Sequence, residues 1–542
     1  MGEAVKWSLG RSRPRICVQD FGSRTSIREA LIRDQLVMRA RRITSEFRGT
    51  LQLVPIMLVL CTLFAAPGAT LHVLNLNDSG PDSLRDRIAV SVPGDTIVFD
   101  VTGTIYLNSS IQIAKALTLQ GPGASKLAIS GSNKDRILAT SSGPVVISKL
   151  TLRDGLVIGA DGGDGGIGQD GGMGDWAAGG AINNSGDLTL LNCWIATNRV
   201  VGGNGGRGGD NVLGTAYIPG TGGAGGLANG GGVYSSVHTF KAGNCTFSGN
   251  VALGGEGGRG GDTSANVAGG QGGDGGEGYC GGFYGIHPQL GFLLLSSTVV
   301  LNEAHGGSAG SGGNGSSTGS NGSPGIGHAG GVGGISMGGC MNVTANTIGN
   351  TILALNTADA HPNQETYFQD FGYNFLGDDD VAGPCMNPSL TKMGTLGLPL
   401  DPLLGPLAQN GGGVPTHAPL QASPVIDQGF AFVATDQRGA PRPYDFANVA
   451  NFADGTDIGA VELGSTPLGM SIGGGGGSGG GNGGIVISWP GYYGDLKLQS
   501  VSSLQGHDEW TDVRDTPVLV GDWFYVTNRM TEPSRFFRLV NR

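Results

Sequence analysis

The sequence contains few charged and few aromatic residues, which make up 14% and 6% of the chain. Its eight histidines show no spacing typical of a metal site. No Gly-Lys-Ser/Thr follows a strand-like run, so a phosphate-binding P-loop is not indicated. Apolar residues at helical spacing are missing from the repeated part of the chain described below. These absences argue against a nucleotide-binding loop, a histidine metal site and a helical repeat fold.

Positive charge is also scarce, because 32 Lys and Arg stand against 43 Asp and Glu and give a formal net charge of −11. All of this imbalance lies after residue 69, since the first 69 residues carry an excess of basic side chains. An acidic chain of this kind lacks the basic patch that nucleic-acid binding requires. We therefore expect no nucleic-acid partner.

The amino-terminal part of the chain predicts export. An apolar run from Leu51 to Ala66 follows four arginines and precedes Pro67-Gly68-Ala69, as in a secretory signal. Sixteen residues are short for a membrane span, so we expect none after signal cleavage. We interpret residues 1–69 as an N-terminal extension and signal peptide, with a possible true start at Met38. The predicted localisation is secreted or cell surface.

A block of the sequence recurs about every fifty residues. Its copies open with paired glycines, and the steps from Gly180 to Gly232, Gly282 and Gly334 are 52, 50 and 52 residues. Within each copy the apolar residues stand two apart, as in Leu188 and Leu190, which is typical of short strands. Regular repetition of strands predicts one coil stacked on copies of itself.

Each copy also carries polar residues at fixed positions. Asn198, Asn250, Asn302 and Asn356 recur in one position, and Asn192 and Asn244 recur six residues earlier. Ser148 and Asp154 resemble a degenerate upstream copy of the same pair. Asn tolerates left-handed turns and hydrogen-bonds neighbouring backbone, so we expect these residues to form structural ladders at coil corners. The pattern predicts an all-β, right-handed parallel β-helix.

Glycine accounts for 105 residues, and most of it lies in four inserts that leave the coil just after the corner asparagine. Two of these inserts begin GGNGGRGGD at Gly202 and GGEGGRGGD at Gly254. A Gly-Gly-x period matches an extended helix with three residues per turn. We expect either hairpins of polyglycine II helices packed beside the coils or flexible surface loops.

Calcium is a weaker alternative for the glycine inserts. Calcium-binding nonapeptides need an apolar position after the aspartate, and five aspartates of the inserts lack it: Asp164, Asp170, Asp210, Asp262 and Asp274. We therefore predict no cofactor.

Five of the seven cysteines follow residue 69. Cys193 and Cys245 share one position of the repeat, where either a disulfide or a pair of buried thiols would fit. Cys280, Cys340 and Cys385 have no pairing that the sequence assigns.

The segment of residues 71–131 resembles the amino-terminal cap and first coils of secreted bacterial right-handed β-helix proteins. Ser83-Leu84-Arg85 is similar to the Ser-Leu-Arg-Glu-Ala motif of that cap, although Asp86 and Arg87 depart from it. The resemblance implies a short helix over the open end of the first coil, with Pro93-Gly94-Asp95 turning into a strand.

The segment of residues 365–463 resembles the choice-of-anchor Q domain. The shared motifs occur in order: GYNFLG from Gly372, DPLLGPLAQNGGGVPTHAPL, SPVIDQG, TDQRGAPRP and DIGAVE. The resemblance implies a surface-sorted protein. The shared motifs also contain six charged residues, which we interpret as buried salt bridges and turn ligands that close the helix: Asp427, Asp436, Arg438, Arg442, Asp457 and Glu462.

A linker, GGGGGSGGGNGG, follows Ser471 and precedes a separate unit. Alternating apolar residues such as Ile485, Ile487 and Trp489 predict a small β-sandwich-like domain, which resembles C-terminal modules of large exported bacterial proteins. Its aromatic residues fit either a core or a sugar-binding platform: Trp489, Tyr492, Tyr493, Trp510 and Trp523.

The predicted domains are an N-terminal cap with the first coils (70–135), coils with glycine-rich inserts (136–364), a closing part (365–465), a linker (466–484) and a small β domain (485–542). Catalysis is not indicated. The pectin-hydrolase motifs Asn-Thr-Asp and Gly-His-Gly are missing, with Gly327-His328-Ala329 the nearest match, and the acidic run of residues 378–380 follows the last recognisable coil.

We predict a structural or adhesin-like surface protein with no catalytic residues, which contacts surface polysaccharide or the cell envelope. The alternatives are a polysaccharide lyase or hydrolase and a carbohydrate-binding surface protein. The sequence does not indicate an oligomeric state.

Overall fold

The structure is a computed structural model. It describes residues 68–211, 218–236, 238–286, 291–316, 320–327, 335–337, 346–359, 363, 369–378, 389–411, 414–447, 449–464, 469–473, 484–490, 496–502, 510–520, 523–529 and 535–541.

Three parallel sheets form the wall of a coil, and the chain visits them in turn. The order within one coil is sheet C, sheet A and sheet B, as in Ile182–Asn184, Leu188–Leu191 and Trp194–Ala196. Each strand pairs in parallel with the equivalent strand of the next coil, so the chain forms a right-handed parallel β-helix, which confirms the predicted fold class.

The strands of these three sheets are short. Sheet A has nine strands: Thr70–Val73, Asp95–Phe99, Leu117–Gln120, Val145–Ser148, Leu188–Leu191, Phe240–Gly243, Phe292–Leu295, Asn346–Gly349 and Gln369–Asp370. Sheet B has nine: Gly103–Tyr106, Leu127–Ser130, Thr151–Arg153, Trp194–Ala196, Thr246–Ser248, Thr298–Val300, Ile352–Ala354, Phe375–Leu376 and Lys392–Met393. Sheet C has six: Ile111–Ile113, Leu138–Thr140, Ile182–Asn184, Val233–Ser236, Phe283–Ile286 and Ile335–Met337.

Alternate residues of each strand point into the coil and form one continuous core. In the strand Leu188–Leu191, Leu188 and Leu190 are buried while Leu191 is 40% exposed. Aromatic residues stack in the same way, and the ring centroids of Phe240 and Phe292 are 5.7 Å apart. Burial of these columns is the main apolar stabilisation of the coils.

A short helix, α1 (Leu84–Val90), lies at the amino-terminal end of the core. The Ser83 side chain caps its first turn by accepting a hydrogen bond from the Asp86 amide at 3.3 Å. Leu84 and Ile88 are buried against Val73 and Ile97. The helix thus covers apolar side chains of the first coil that would otherwise be exposed.

Two smaller parallel sheets form the base of the glycine-rich inserts. Outgoing strands form sheet D, and returning strands form sheet E. Sheet D has the strands Leu156–Ile158, Arg199–Val201, Val251–Leu253, Glu303–His305 and Thr357–Ala358. Sheet E has the strands Ala177–Ala178, Ala228–Asn229 and Gly278–Tyr279. Small buried residues such as Ala228 and Ala252 lie between the two sheets.

Beyond these strands the inserts pack as layered hairpins without forming a sheet. We call this region the glycine bundle, with layer 1 at residues 159–176, layer 2 at 202–211 and 218–227, layer 3 at 254–277, and layer 4 at 306–316 and 320–327. In layer 2, Gly205 donates its amide to the Glu256 carbonyl of layer 3 at 2.8 Å. Gly206 donates to the Gly172 carbonyl of layer 1, also at 2.8 Å. The amides of successive glycines therefore donate to the layers on opposite sides, as expected for packed polyglycine II helices.

Close backbone contact explains why these positions are glycine. A Cβ atom placed on Gly258 would lie 2.0 Å from the Gly206 carbonyl oxygen, and one on Gly205 would lie 1.9 Å from that of Gly223. No heavy atom beyond its chain neighbours lies within 4 Å of a Cβ placed on Gly163, in the outermost layer. The bundle interior therefore excludes every side chain.

The carboxy-terminal unit contains two antiparallel sheets. One consists of Gly469–Gly473, Gly484–Pro490, Trp523–Arg529 and Val518–Val520, and the other of Thr511–Asp512, Leu496–Val501 and Phe536–Asn541. Ile487, Trp489, Leu498 and Val526 form its buried core. Two sheets around one core fit the predicted sandwich-like arrangement, but the strand Gly469–Gly473 lies within the segment predicted as a linker (466–484) and pairs with Gly484–Pro490.

We predict that Gly258→Ala lowers the urea midpoint of unfolding strongly, because its methyl group has no space. Gly163→Ala is the matched control and is expected to be neutral or to stabilise by up to about 1 kcal/mol, since alanine reduces the entropy of the unfolded chain. Equilibrium urea unfolding of both variants checks this. Equal midpoints would contradict the packed bundle.

Candidate functional site

The predicted corner asparagines lie in one buried column between sheets B and D. The Asn198 amide nitrogen donates to Oδ1 of Asn250 at 3.2 Å, and the Asn250 amide donates to Oδ1 of Asn302 at 3.1 Å. The Asn302 amide donates to Asn356 at 2.9 Å. Each side chain therefore accepts the backbone amide of the coil before it.

The column continues beyond the residues that the sequence pattern identified. Asn356 donates its side-chain amide to Oδ1 of Asn363 at 2.9 Å, and Asn363 donates to the Asp378 carboxylate. Asn363 stands only seven residues after Asn356, so the fifty-residue period could not reveal it. Asp379 and Asp380 lie outside the described residues, as does His328.

Strand register corrects two sequence alignments. Arg153 pairs with Ala196, so Asp154 stands opposite Thr197 and not opposite Asn198. Gly155 occupies the asparagine position, and its amide donates to Asn198 Oδ1 at 2.9 Å. Ile182 pairs with Val233, which places Ala181 and not Gly180 opposite Gly232.

Asn192 and Asn244 occupy the corner between sheets A and B. Their φ angles are +53° and +51°, and Ser296 and Asn350 have similar values in the same column. Asn is favoured in this left-handed conformation. These residues therefore set the turn, while the asparagines of the other corner pair with one another.

The cysteines lie in a neighbouring buried column. Cys193 and Cys245 stand in register, and each is a free thiol that donates to a backbone carbonyl. Below them the Cys245 amide donates to Ser297 Oγ at 3.1 Å. Cys280 is also buried, and Cys340 and Cys385 lie outside the described residues.

The five insert aspartates considered above as calcium ligands all accept backbone amides. Asp164 accepts the Arg207 amide at 2.8 Å, and Asp210 accepts the Asp262 amide at 2.7 Å. Asp170, Asp262 and Asp274 bond the next layer in the same way. The Thr221 amide lowers the pKa of Asp170, as expected for a hydrogen-bonded carboxylate. These aspartates therefore satisfy the amide that follows a glycine pair at Arg207, Asp262 and Asn314.

No group of three or more His, Cys, Asp and Glu is arranged to hold a metal ion in the described part of the chain. Within the same residues, no helix has the length and hydropathy needed to cross a bilayer.

The predicted closing cluster is buried, with each of its six charged residues at most 7% exposed. Arg438 bonds the Asp436 carboxylate at 2.8 Å, and Arg442 bonds Glu462 at 3.1 Å. Asp457 accepts the backbone amides of Asp427 and Leu463. The carboxylates are thus used in turns and ion pairs.

The segment that carries this cluster lies along the outer face of sheet B. Gln437 donates to the Cys193 carbonyl at 2.9 Å and accepts from Thr246 at 2.6 Å. The Ala460 amide donates to Thr298 Oγ1 at 3.0 Å. Outward-facing residues of the sheet, including Ile352 and Phe375, are consequently buried under this segment. That face is closed to a ligand across these coils.

Four carboxylates of the cluster face only two guanidinium groups, so negative charge is in excess. Burial raises the pKa of Asp427 to about 6 and that of Asp457 to about 7. Burial, followed by the charge of Asp457, raises the pKa of Glu462 to about 8. The cluster therefore favours protonated carboxyl groups.

The aromatic residues predicted for a sugar-binding platform lie in different environments. Trp489 is 2% exposed and belongs to the core, while Arg538 lies over the ring of Trp510 at 4.4 Å from its centroid. Tyr492, Tyr493 and the Trp523 side chain lie outside the described residues. Trp489 and Trp510 therefore do not form an open platform.

Comparison with known proteins gives partial similarities. No protein-family model matches the chain. Probable pectate lyases C from Aspergillus oryzae and Aspergillus flavus are each 48% identical over 54 residues, which is 10% of this chain. The chain thus spans 12% of the length of the curated relatives it matches.

Among solved structures, a springtail antifreeze protein from Granisotoma rainieri, described as a nine polyproline type II helical bundle, is 30% identical. The match covers 31% of this chain and 94% of the antifreeze protein, with a TM-score of 0.10. That score is too low to indicate a shared fold.

We predict that Asn250→Ala destabilises the protein by about 3 kcal/mol, because it removes the partners of the buried Asn198 amide and Ile195 carbonyl of the preceding coil. Asn204→Ala is the control, since Asn204 makes a similar amide contact on the exposed bundle surface. Its expected cost is less than about 1 kcal/mol. Equal shifts in the urea midpoint would contradict the structural role of the buried column.

We predict that the melting temperature falls as pH rises from about 5 to 8. The folded pKa values of the cluster exceed the unfolded values near 4, so its stability contribution is full below about pH 4 and is lost as pH rises through 6 to 8. Asp427→Asn should raise stability at pH 8 by up to about 3 kcal/mol and leave it unchanged near pH 4.

The asparagine side chain fits because Asp427 Oδ2 accepts the Phe446 amide, whereas Oδ1 has no hydrogen-bond partner. Asp401→Asn, on the exposed surface of the same segment, is the control and should leave the slope unchanged. Thermal melting across the pH range checks the prediction. An equal gain of stability for Asp427→Asn at pH 4 and pH 8 would contradict it.

Proposed function

We propose that this chain is an exported, surface-attached protein that acts as a structural or adhesin-like scaffold without catalytic activity. The observation that carries this proposal is that every charged group singled out as a catalytic or metal candidate and placed by the structure already has a structural partner. The aspartates of the inserts bind backbone amides, and the closing cluster is buried and paired. A glycine bundle cross-linked in this way would serve as a stiff projection.

The sequence supports the finer parts of the proposal. The apolar run of residues 51–66 supports secretion, and the ordered motifs between residues 372 and 462 support a bacterial choice-of-anchor Q protein. On this proposal, surface polysaccharide or cell envelope is the partner.

A polysaccharide lyase or hydrolase is the second candidate, and the partial similarity to probable pectate lyases favours it. A glycoside hydrolase requires two carboxyl groups placed on either side of a sugar bond. The burial of the closing cluster supports the non-catalytic proposal over this alternative.

Two assays on the full chain, expressed in an export-competent bacterium, test the proposal. Cell fractionation with sequencing of the mature amino terminus is expected to show a surface protein cleaved near residue 69. Incubation with polygalacturonate, xylan and galactomannan is expected to release neither reducing ends nor unsaturated uronides. Product release with any of these polymers would overturn the non-catalytic assignment.

A further inference from the structure

Five aromatic side chains form a partly exposed cluster next to the closing cluster: Phe371, Tyr373, Phe430, Phe432 and Phe452. We call it the aromatic patch. Its ring centroids lie 5.2 to 6.2 Å from their neighbours. Phe371, Phe430 and Phe452 remain 46%, 39% and 48% exposed. Exposed apolar surface of this kind usually marks a binding site.

Backbone hydrogen bonds hold the three chain segments of the patch. The Phe371 amide donates to the Ile348 carbonyl of the preceding coil at 2.9 Å. Phe430 donates to the side chain of Asn350 at 3.2 Å, and Phe452 donates to the Asp427 carbonyl at 3.0 Å. The backbone that carries the rings is thus held in place without a ligand, which reduces the entropic cost of binding.

A glycine in sheet A leaves space for two of the rings. A Cβ placed on Gly349 would lie 3.0 Å from Phe432 Cε2 and 3.1 Å from Phe371 Cβ. Phe430 and Phe432 pack edge to face at 67°, as do Tyr373 and Phe452 at 71°. The ring planes in each pair therefore differ in direction instead of forming one closed stack.

Polar side chains border the rings. Asp445 and Asn451 are exposed on the loop that carries Phe452, and Gln428 donates to the Ala450 carbonyl at 2.8 Å. The three segments that supply the patch, 369–376, 427–432 and 445–457, contain no Lys or Arg, and their exposed or partly exposed carboxylates are those of Asp370, Asp445 and Asp454. The border thus offers hydrogen-bond acceptors and negative charge.

We propose that the aromatic patch binds a neutral polysaccharide. Sugar rings present flat apolar faces that pack on aromatic rings, and their hydroxyl groups donate to carboxylate and amide oxygens. The acidic border repels polyuronates, since like charges at an interface are unfavourable. The inference rests on the proposed function, because it gives the polysaccharide contact a location and a substrate class.

Affinity electrophoresis of the full chain tests the patch, with galactomannan, xyloglucan and mixed-linkage glucan as neutral probes and polygalacturonate as the acidic probe. Phe452→Leu removes a ring face while keeping an apolar side chain, and Phe452→Trp restores a ring. Tyr106→Ala is the control, because Tyr106 is 59% exposed on a strand near the amino-terminal cap. Thermal melting confirms that each variant is folded.

The expected result is retardation by a neutral probe that weakens about tenfold in Phe452→Leu, which corresponds to about 1.4 kcal/mol, a value typical of one aromatic contact. Phe452→Trp and Tyr106→Ala should bind as the native chain does. Equal binding of the native chain and Phe452→Leu would overturn the assignment of binding to the aromatic patch. It would not contradict the proposed polysaccharide partner.

Other outcomes also overturn the inference. Absence of retardation by every neutral probe would overturn the patch and the proposed polysaccharide contact together. Stronger binding to polygalacturonate than to the neutral polymers would contradict the charge argument. Analytical ultracentrifugation showing a dimer that Phe452→Leu dissociates would make the patch an interface between copies of the chain.

Discussion

Hydrogen bonding of backbone amides between stacked layers is the interaction on which the whole molecule depends. Neighbouring strands are spaced about 4.8 Å apart, and equivalent residues of successive coils or layers meet at this distance. Sheets A, B and C satisfy their amides with carbonyls. At the corner between sheets B and D, where the chain turns, asparagine side chains accept them instead. Identical columns are therefore the direct result of one repeated requirement.

The glycine bundle meets the same requirement without forming sheets. Its glycine amides donate to neighbouring carbonyls, and aspartate or asparagine accepts the amide after the glycine pair at several positions, including Arg207, Glu256 and Asp262. The pattern ends where stacking ends. Ala160, Gln169 and Asp175 occupy positions in layer 1 that are glycine in layer 2, and Ala309 and Pro324 replace glycines of layer 3 in layer 4. Side chains thus return where no further layer lies against the backbone.

Much of the fold could be predicted because stacked coils and layers require the same residue types at a fixed spacing in the sequence. The fifty-residue repeat, the corner asparagines and the Gly-Gly-x triplets all show that period directly. Asn363 was missed because the coil that contains it lacks a glycine insert and is therefore short. The one-residue offset of Asp154 was missed because only strand pairing fixes the register.

The positions of the closing cluster and the aromatic patch could not be predicted from the sequence. Gln437 meets Cys193 across 244 residues, and Phe371, Phe430 and Phe452 come from three separate segments. Contacts of this kind have no local pattern in the chain. The insert aspartates illustrate the opposite difficulty, because their spacing was visible but their amide partners belong to another layer.

Hydrogen exchange of the glycine inserts tests the central claim most directly. Mass spectrometry of the full chain can compare peptides covering residues 202–210 and 254–262 with peptides from the strands Leu188–Leu191 and Phe240–Gly243. Packed layers predict that the insert amides exchange slowly, with protection similar to that of the strands. Complete exchange of the insert amides at the rate of an unfolded chain, beside protected strands, would contradict the account.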